Sequence, residues 1–464
     1  MNNKQPRNSK ASFSGMIVII ITIMIAIISG NSKAASANTA LESVLKHKVE
    51  TEKISVGVAA AIIENGEVSF INVGMANKET AQKVDQNTLF EIGSISKVLT
   101  STALATFVDE GQLTLSDAVQ NYLPKSVRLP IKNNKVITFE SLANHHSGLP
   151  RLPSNMPFGK PLNPYADYTK EMMYEFLRHF KLPREVGEAP EYSNLAVGLL
   201  GLTLAEIDNL NYEQMLNQRV LTPLKMKETY VNVPEAKHTR RSIGHNGSLE
   251  PTEYWQLPAM VGAGGVVSST SNMALFLKAN MHQNKLASAI KLTHQPTAKF
   301  GHSNTKIGLG WIIQNTDEGD VYLHNGQTGG FASFIGFNPN LNKGIVILSN
   351  TSILLDEIGY SYLTNSLASL KLTTPAKVTE EALAKLIGKY ELVPGFVLSI
   401  THKGDKLFVQ ATGQPILPLT ANSNYEFVNN AVKARIQFEL DIEGVATSLI
   451  MYQGGQSLPG KKLD

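Results

Sequence analysis

Ser94-Ile95-Ser96-Lys97 sets a hydroxyl and an amine three residues apart, a spacing that brings both side chains onto one face of a helix within contact distance. Such a pair can do nucleophilic chemistry, with Lys97 holding or accepting the Ser94 proton as the oxygen attacks. The amine must be neutral to act as a base, which partial burial near another cation would favour; a helix start at Ser94 would favour developing negative charge. The four-residue pattern by itself is unselective, since it recurs at Ser43, Ser288 and Ser303. Context distinguishes Ser94. Phe90-Glu91-Ile92-Gly93 runs straight into it, and Val98, Leu99, Ala103, Leu104, Phe107 and Val108 follow at helical spacing towards Gly111, placed for a left-handed cap.

Two further segments carry groups that could serve such a pair. Tyr192-Ser193-Asn194 precedes the apolar run 195–204. A phenol next to an ammonium can lose its proton more easily or relay one, and Asn194 can hydrogen-bond Lys97 and a substrate carbonyl. Tyr230-Val231-Asn232 shares this spacing, and the plainer readings are a helix-capping serine for Ser94 and a buried, hydrogen-bonded phenol for Tyr192. His324-Asn325-Gly326-Gln327-Thr328-Gly329-Gly330 is rich in glycine, which lets backbone approach a ligand closely, and His324 adds a donor or a switchable charge. His145 and His146 are neighbours that point apart, with no third ligand at metal spacing; they read as loop residues, and no metal is expected. Trp311 reads as core, while Arg151 and Tyr165 lie in loops that can reach a substrate. The chain has no cysteine, which excludes a thiol nucleophile, thiolate metal sites and disulfides. It has no phosphate-binding loop or dinucleotide fingerprint either, so no organic cofactor is expected.

The elements that must position these residues can be read from periodicity. Ser55 to Ile63 and Glu67 to Val73 form a hairpin about Asn65-Gly66. A buried helix follows over Ser96 to Glu110. Prolines and glycines between Pro130 and Pro190 imply long loops with short helices, the kind of segment that shapes a pocket. Leu309 to Ile313, Val321 to His324, Phe331 to Asn338 and Gly344 to Leu348 read as strands, and Ile353 to Leu370 as a closing helix. The whole suggests an α/β (α+β) domain with an antiparallel sheet flanked by helices over 38–372. A linker covers 373–379, and seven closely spaced strand candidates between Tyr390 and Tyr452 indicate a small all-β barrel or sandwich over 380–464.

Ser94-x-x-Lys97, Tyr192-x-Asn194 and His324-x-Gly326, in that order, resemble the serine β-lactamase and penicillin-binding protein superfamily, in its class C β-lactamase-like (peptidase S12) branch. The resemblance runs from about Ser43 to Leu370 and includes the segments 142–150, 264–269 and 308–311; the block from Gly388 to Gly455 is similar to the β-barrel appendage of some members, described as lipocalin-like. It implies an acylated nucleophile at Ser94, a general-base partner at Lys97 and a proton relay at Tyr192. It further implies that Asn194 orients substrate and lysine, that His324 with Gly326 stands at the third motif, and that the N–H groups of Ser94 and Gln327 form an oxyanion hole. One departure stands out: many members carry Lys-Thr-Gly where this chain has His324-Asn325-Gly326, so a fixed cation is replaced by an imidazole.

Residues 1–15 are polar and basic, 16–28 are almost uninterruptedly apolar, and Ala35-Ser36-Ala37 supplies small residues; residues 1–37 are expected to be an export signal, an uncleaved anchor being the alternative. Without the four cations of that segment the formal charge drops from +3 to −1, which gives no support for nucleic acid as a partner. The expectation is therefore a periplasmic or secreted serine hydrolase acting on β-lactams, D-amino-acid or D-Ala-D-Ala peptides. The alternatives are a carboxylesterase of the same fold and a penicillin-binding wall sensor with little turnover, its β domain in contact with the cell wall.

Overall fold

Val58, Ala60 and Ile62 alternate with Ala59, Ala61 and Ile63 along the strand β1 (Gly57–Glu64), and all six are buried. The first three join one apolar core and the second three another, so this strand is covered on both faces and sits inside a sheet. The computed structural model describes residues 38–463 apart from Phe158, His302, Pro415, Asn430, Ala431 and Lys433. The expected export signal lies outside the described residues. Asn65 and Gly66 take φ of 51° and 86°, the left-handed pair a tight hairpin needs, and lead into β2 (Glu67–Asn77) and β3 (Gln82–Lys83).

A two-stranded ribbon, β4 (Phe90–Glu91) with β5 (Val267–Ser268), precedes the return of the chain to the main sheet. There follow β6 (Ala298–Lys299), β7 (Thr305–Ile307), β8 (Ile312–Thr316), β9 (Gly319–Gln327), β10 (Ala332–Asn338) and β11 (Lys343–Ser349). The nine-stranded order is β3-β2-β1-β11-β10-β9-β8-β7-β6. Since β1 pairs antiparallel with both β2 and β11, the first hairpin and the last strands make one sheet, as their apolar patterns predict. The expected strand at Leu309 to Ile313 begins only at Ile312, because Gly310 (φ 76°) turns the chain first.

The helix Ser96–Asp109 is buried through Phe107 and packs with Asn194–Ile207 and Thr270–Met281 on the larger core. Asp356–Leu363 covers the other face through Ile358, Tyr362 and Leu363. The closing helix read over Ile353 to Leu370 is therefore shorter, with a separate turn at Leu367–Ser369. Trp311 is fully buried, stacked on Phe276 and edge-on to Phe337.

After an extended stretch over 370–379, the short helix Glu380–Ala384 enters an eight-stranded closed barrel. Its strands are β12 (Gly388–Val393), β13 (Phe396–Lys403), β14 (Lys406–Ala411), β15 (Ile416–Ala421), β16 (Glu426–Asn429), β17 (Ala434–Leu440), β18 (Ala446–Gln453) and β19 (Gln456–Leu463). The sequence pattern shows seven of these. It misses β19, whose exposed Lys461, half-buried Lys462 and internal Pro459 hide the alternation, yet β19 pairs with β12 and closes the barrel. Tyr390, Ile400, Phe427, Phe438 and Leu449 fill the interior, with Leu383 and Leu386 packed against them. The barrel meets the loop 246–250: Leu417 and Pro418 approach Gly247, and Lys403 Nζ lies 3.8 Å from Glu250.

Phe427 is buried edge-on against Phe438 in this interior, so Phe427→Ala should cost about 3–5 kcal/mol in barrel stability. Urea unfolding followed by barrel-specific proteolysis measures it, and a loss under about 1 kcal/mol would mean that the barrel does not rest on this core.

Candidate active site

Ser94 sits in a tight 3-10 turn, Gly93–Ile95, immediately before the helix that carries Lys97. Ser96, between them, holds the turn: its hydroxyl donates to Gly93 O at 2.7 Å and accepts from Val266 N–H at 3.1 Å. The three-residue spacing then does what was expected, bringing Lys97 Nζ to 2.9 Å from Ser94 Oγ.

Lys97 is fully buried, and no carboxylate of the described residues pairs with it. Its amine donates to the carbonyl of Ala263 at 2.6 Å. Burial, aided by the nearby Arg151 cation, holds the amine well below the ordinary lysine range. With one N–H engaged by Ala263, a neutral amine keeps its lone pair free for the Ser94 proton. The backbone carbonyl was invisible to side-chain pattern. The expected bond from Asn194 to Lys97 does not form, because Asn194 Nδ2 donates to the Tyr165 hydroxyl at 3.0 Å and Asn194 Oδ1 is buried without a partner.

Tyr192 lies over this pair, with Lys97 Nζ 4.8 Å from its ring centre. The segment is fixed by its middle residue: Ser193 caps the helix Asn194–Ile207, accepting from Ala196 N–H at 2.9 Å, and donates to Pro150 O at 2.6 Å. The phenol is pushed up to about 12 by burial, with the Ser94 hydroxyl and Arg151 pulling the other way. The expected easing of its ionisation is thus corrected: burial outweighs the groups that would ease it, and Tyr192 starts protonated at neutral pH.

His324 and Gly326 are on β9, opposite Ile335 and Ser333 of β10. Ser333 Oγ donates to Ile92 O at 2.8 Å, tying this sheet to the Ser94 turn. His324 is buried, its Nδ1 2.6 Å from Asn325 O, and burial pushes it down to about 4. It cannot supply the switchable charge expected of it near neutral pH. Gly326 and Gly93 make room for the close approach: a Cβ on Gly326 would lie 2.9 Å from Ser94 N, and one on Gly93 2.7 Å from Gln327 N. The turn that carries Ser94 and the strand end that carries Gln327 are thus in close contact. The Gln327 side chain turns away, donating to Ser352 O at 2.6 Å.

His145 lies in a turn, and from that loop position it supports Tyr192. Its ring packs on Tyr192 at 4.5 Å between centres, and its Nδ1 accepts from Ser193 N–H at 3.2 Å. Burial, with Lys97 next in effect, pushes it well below the ordinary histidine range. A positive φ of 64° places it there, a backbone feature its residue type does not advertise. His146 instead turns to the Asn144 carbonyl.

Ser94, Tyr192, Asn194, Tyr165, Arg151 and Gln327 line a pocket of about 410 Å³. A cleft of about 1590 Å³ adjoins it and shares Trp255, Leu257 and Gly264, but holds neither Ser94 nor Tyr192, both of which line the smaller pocket. The rival motif matches assemble nothing similar. Ser288 Oγ donates to Asp109 at the surface and Asn232 Nδ2 to Glu213. Among the described residues no three His, Cys, Asp or Glu side chains gather as a metal site would require.

Residues 41–359 match the beta-lactamase family, and residues 373–462 match a domain of unknown function (DUF3471). A beta-lactamase of Pseudomonas fluorescens is 28% identical over 68% of this chain and 94% of its own length. The D-alanyl-D-alanine-carboxypeptidase/endopeptidase AmpH of Escherichia coli (strain K12) is 27% identical over 65% of this chain and 80% of its own. Among solved structures, a class C beta-lactamase in complex with cefoxitin superposes with a TM-score of 0.63 at 24% identity, covering 71% of this chain and 99% of that one. A beta-lactamase/D-alanine carboxypeptidase from Pseudomonas syringae gives 0.62 at 23% identity, covering 72% and 99%.

Gly326→Ala would put a methyl 2.2 Å from Ile92 O and 2.9 Å from Ser94 N. Overpacking of this kind should cost about 1–3 kcal/mol of stability and, by parting the turn from the strand end, slow any acylation of Ser94 by about tenfold or more. Chemical denaturation and labelling kinetics read both effects; an unchanged rate would separate this contact from the chemistry.

Proposed function

The chain belongs to the beta-lactamase family and is a serine hydrolase of that fold, and from that premise we propose that it works through an acyl-enzyme on Ser94, hydrolysing amide bonds in β-lactams or in peptides ending in D-amino acids. The observation that carries the reading is the fully buried Lys97 amine, without an acidic partner, 2.9 Å from the Ser94 hydroxyl. Ser94 Oγ attacks the carbonyl carbon as its proton passes to Lys97. The negative oxygen is held between the N–H groups of Ser94 and Gln327. The C–N bond then breaks as Tyr192, replenished from Lys97, protonates the leaving nitrogen. Water gives its proton to Lys97, neutral again after replenishing Tyr192, as its oxygen attacks the ester carbonyl; the ester C–O bond then breaks and Lys97 returns that proton to Ser94 Oγ. Asn194 Oδ1, buried and unpartnered, is placed to accept a substrate N–H.

A second reading, carboxylesterase, is favoured by one observation: His324 is buried and neutral where a fixed cation would meet a substrate carboxylate. Export is part of the proposal and rests on the composition of residues 1–37.

Time-resolved intact-mass spectrometry with a penicillin, a D-Ala-D-Ala peptide and a p-nitrophenyl ester tests the reading. It expects a transient adduct on Ser94 that clears with product release, ranking the substrates. Ser94→Ala should abolish the adduct, and Lys97→Ala should slow its formation by roughly a hundredfold or more. A penicillin adduct that persists without turnover would instead indicate a binding or sensing role, and full activity in either variant would refute the site.

A further inference from the structure

Among the described residues that line the small pocket, Arg151 alone carries a charge, and neither an aspartate, a glutamate nor His324 is among them. The position of Arg151 is built. Its backbone carbonyl accepts from Asn194 N–H at 3.0 Å and Leu195 N–H at 3.4 Å, and its own N–H donates to Glu191 Oε1 at 3.2 Å. The preceding residue, Pro150, accepts from Ser193 Oγ. Arg151 is thus clamped to the segment that carries Tyr192 and Asn194, and its guanidinium lies 5.1 Å from the centre of the Tyr192 ring. Glu191 does not neutralise it, because the Glu191 carboxylate pairs with Arg184 at 2.7 Å. Among the described residues no ion pair engages Arg151, whereas Arg219, Arg240 and Arg241 all have carboxylate partners.

We infer that Arg151 is the specificity-determining residue for substrates bearing a carboxylate, its guanidinium receiving that group at the pocket wall formed with Tyr165 and Asn194. The inference rests on the acyl-enzyme reading for its kinetic consequences but not for binding. A planar guanidinium suits a carboxylate bidentately, and the absence of acids from the lining leaves the site free to select an anion. A polar substrate atom held by Asn194 and a carboxylate held by Arg151 would then orient the scissile carbonyl over Ser94. Arg151 also depresses the Lys97 amine, so its removal has a second consequence that must be separated from recognition.

Two matched substrate pairs do this: p-nitrophenyl acetate against mono-p-nitrophenyl succinate, and a D-Ala-D-Ala peptide against its C-terminal amide. On the pH plateau, Arg151→Ala should lower kcat/KM for at least one carboxylate-bearing member by about 10–100-fold, chiefly through KM, and leave the neutral partners within about twofold; Arg151→Lys should recover part of the loss. The pair that responds tells whether the carboxylate belongs to the acyl or the leaving group. In all substrates the acidic limb of the pH profile should move to higher pH, as expected for removing a cation beside Lys97. Equal losses for anionic and neutral substrates would overturn the inference and leave Arg151 acting only through Lys97. Calorimetric binding of the peptide and its amide to Ser94→Ala protein, with and without Arg151→Ala, keeps the two proposals apart. Preference for the carboxylate that needs Arg151 would uphold the inference even if Ser94 never acylated, and binding without that preference would end it.

Discussion

A lysine amine in an apolar interior with no anion beside it is too costly to keep charged, and the rest of this site is organised around that fact. Lys97 is sealed by its own helix and by the segment bearing Ala263, whose carbonyl takes one N–H. The residues around it add no negative charge to restore the ammonium form. His145 and His324 are neutral by burial, Arg151 is a cation, and Tyr192 is a phenol pushed upwards. One environment therefore lowers the base and raises the acid, separating two groups that would otherwise titrate close together near pH 10, and this division gives proton acceptor and proton donor their assignments. The same burial makes every hydrogen bond in the cluster more consequential than it would be in water.

Holding such a cluster requires three chain segments to meet closely, and small residues permit it. Gly93 and Gly326 let the nucleophile turn lie against β9, and Ser333 pins that turn to β10. On the other side Gly201 and Gly262 let the helix carrying Asn194 approach the segment before Ala263, where Thr100 Oγ1 donates to Gly262 O at 2.7 Å. Two cores, one on each face of the sheet, then fix these contacts from behind. The barrel touches the outer loop 246–250; that loop continues into Tyr254 and Trp255, and Trp255 lines both the reactive pocket and the larger cleft. The appendage thus reaches the pocket wall through a short stretch of chain.

What could be read from the sequence follows from how each feature is encoded. Apolar alternation and helical spacing reveal the first hairpin, the buried helix and β9 to β11, because burial on known faces requires them. Ser94, Lys97, Tyr192, Asn194, His324, Gly326 and Gln327 are all brought to one place, since ordered short motifs encode their local geometry directly. Features made by backbone or by burial were hidden. The Ala263 carbonyl has no side-chain signature, His145 reaches Tyr192 only through a left-handed backbone, and the charge states of Lys97, Tyr192 and His324 depend on neighbours distant in sequence. Strand β19 escaped because a barrel is closed by hydrogen bonding, which its polar residues satisfy as well as apolar ones do.

The central claim is that the enzyme-like cluster works because Lys97 is neutral in the resting protein. Nitrogen-15 NMR of the lysine amines, titrated with pH and assigned with Lys97→Ala protein, observes this without reference to any substrate. The account predicts a single amine with the shift of a neutral group at neutral pH, protonating only well below the ordinary lysine range. A Lys97 signal that titrates with the surface lysines would contradict it.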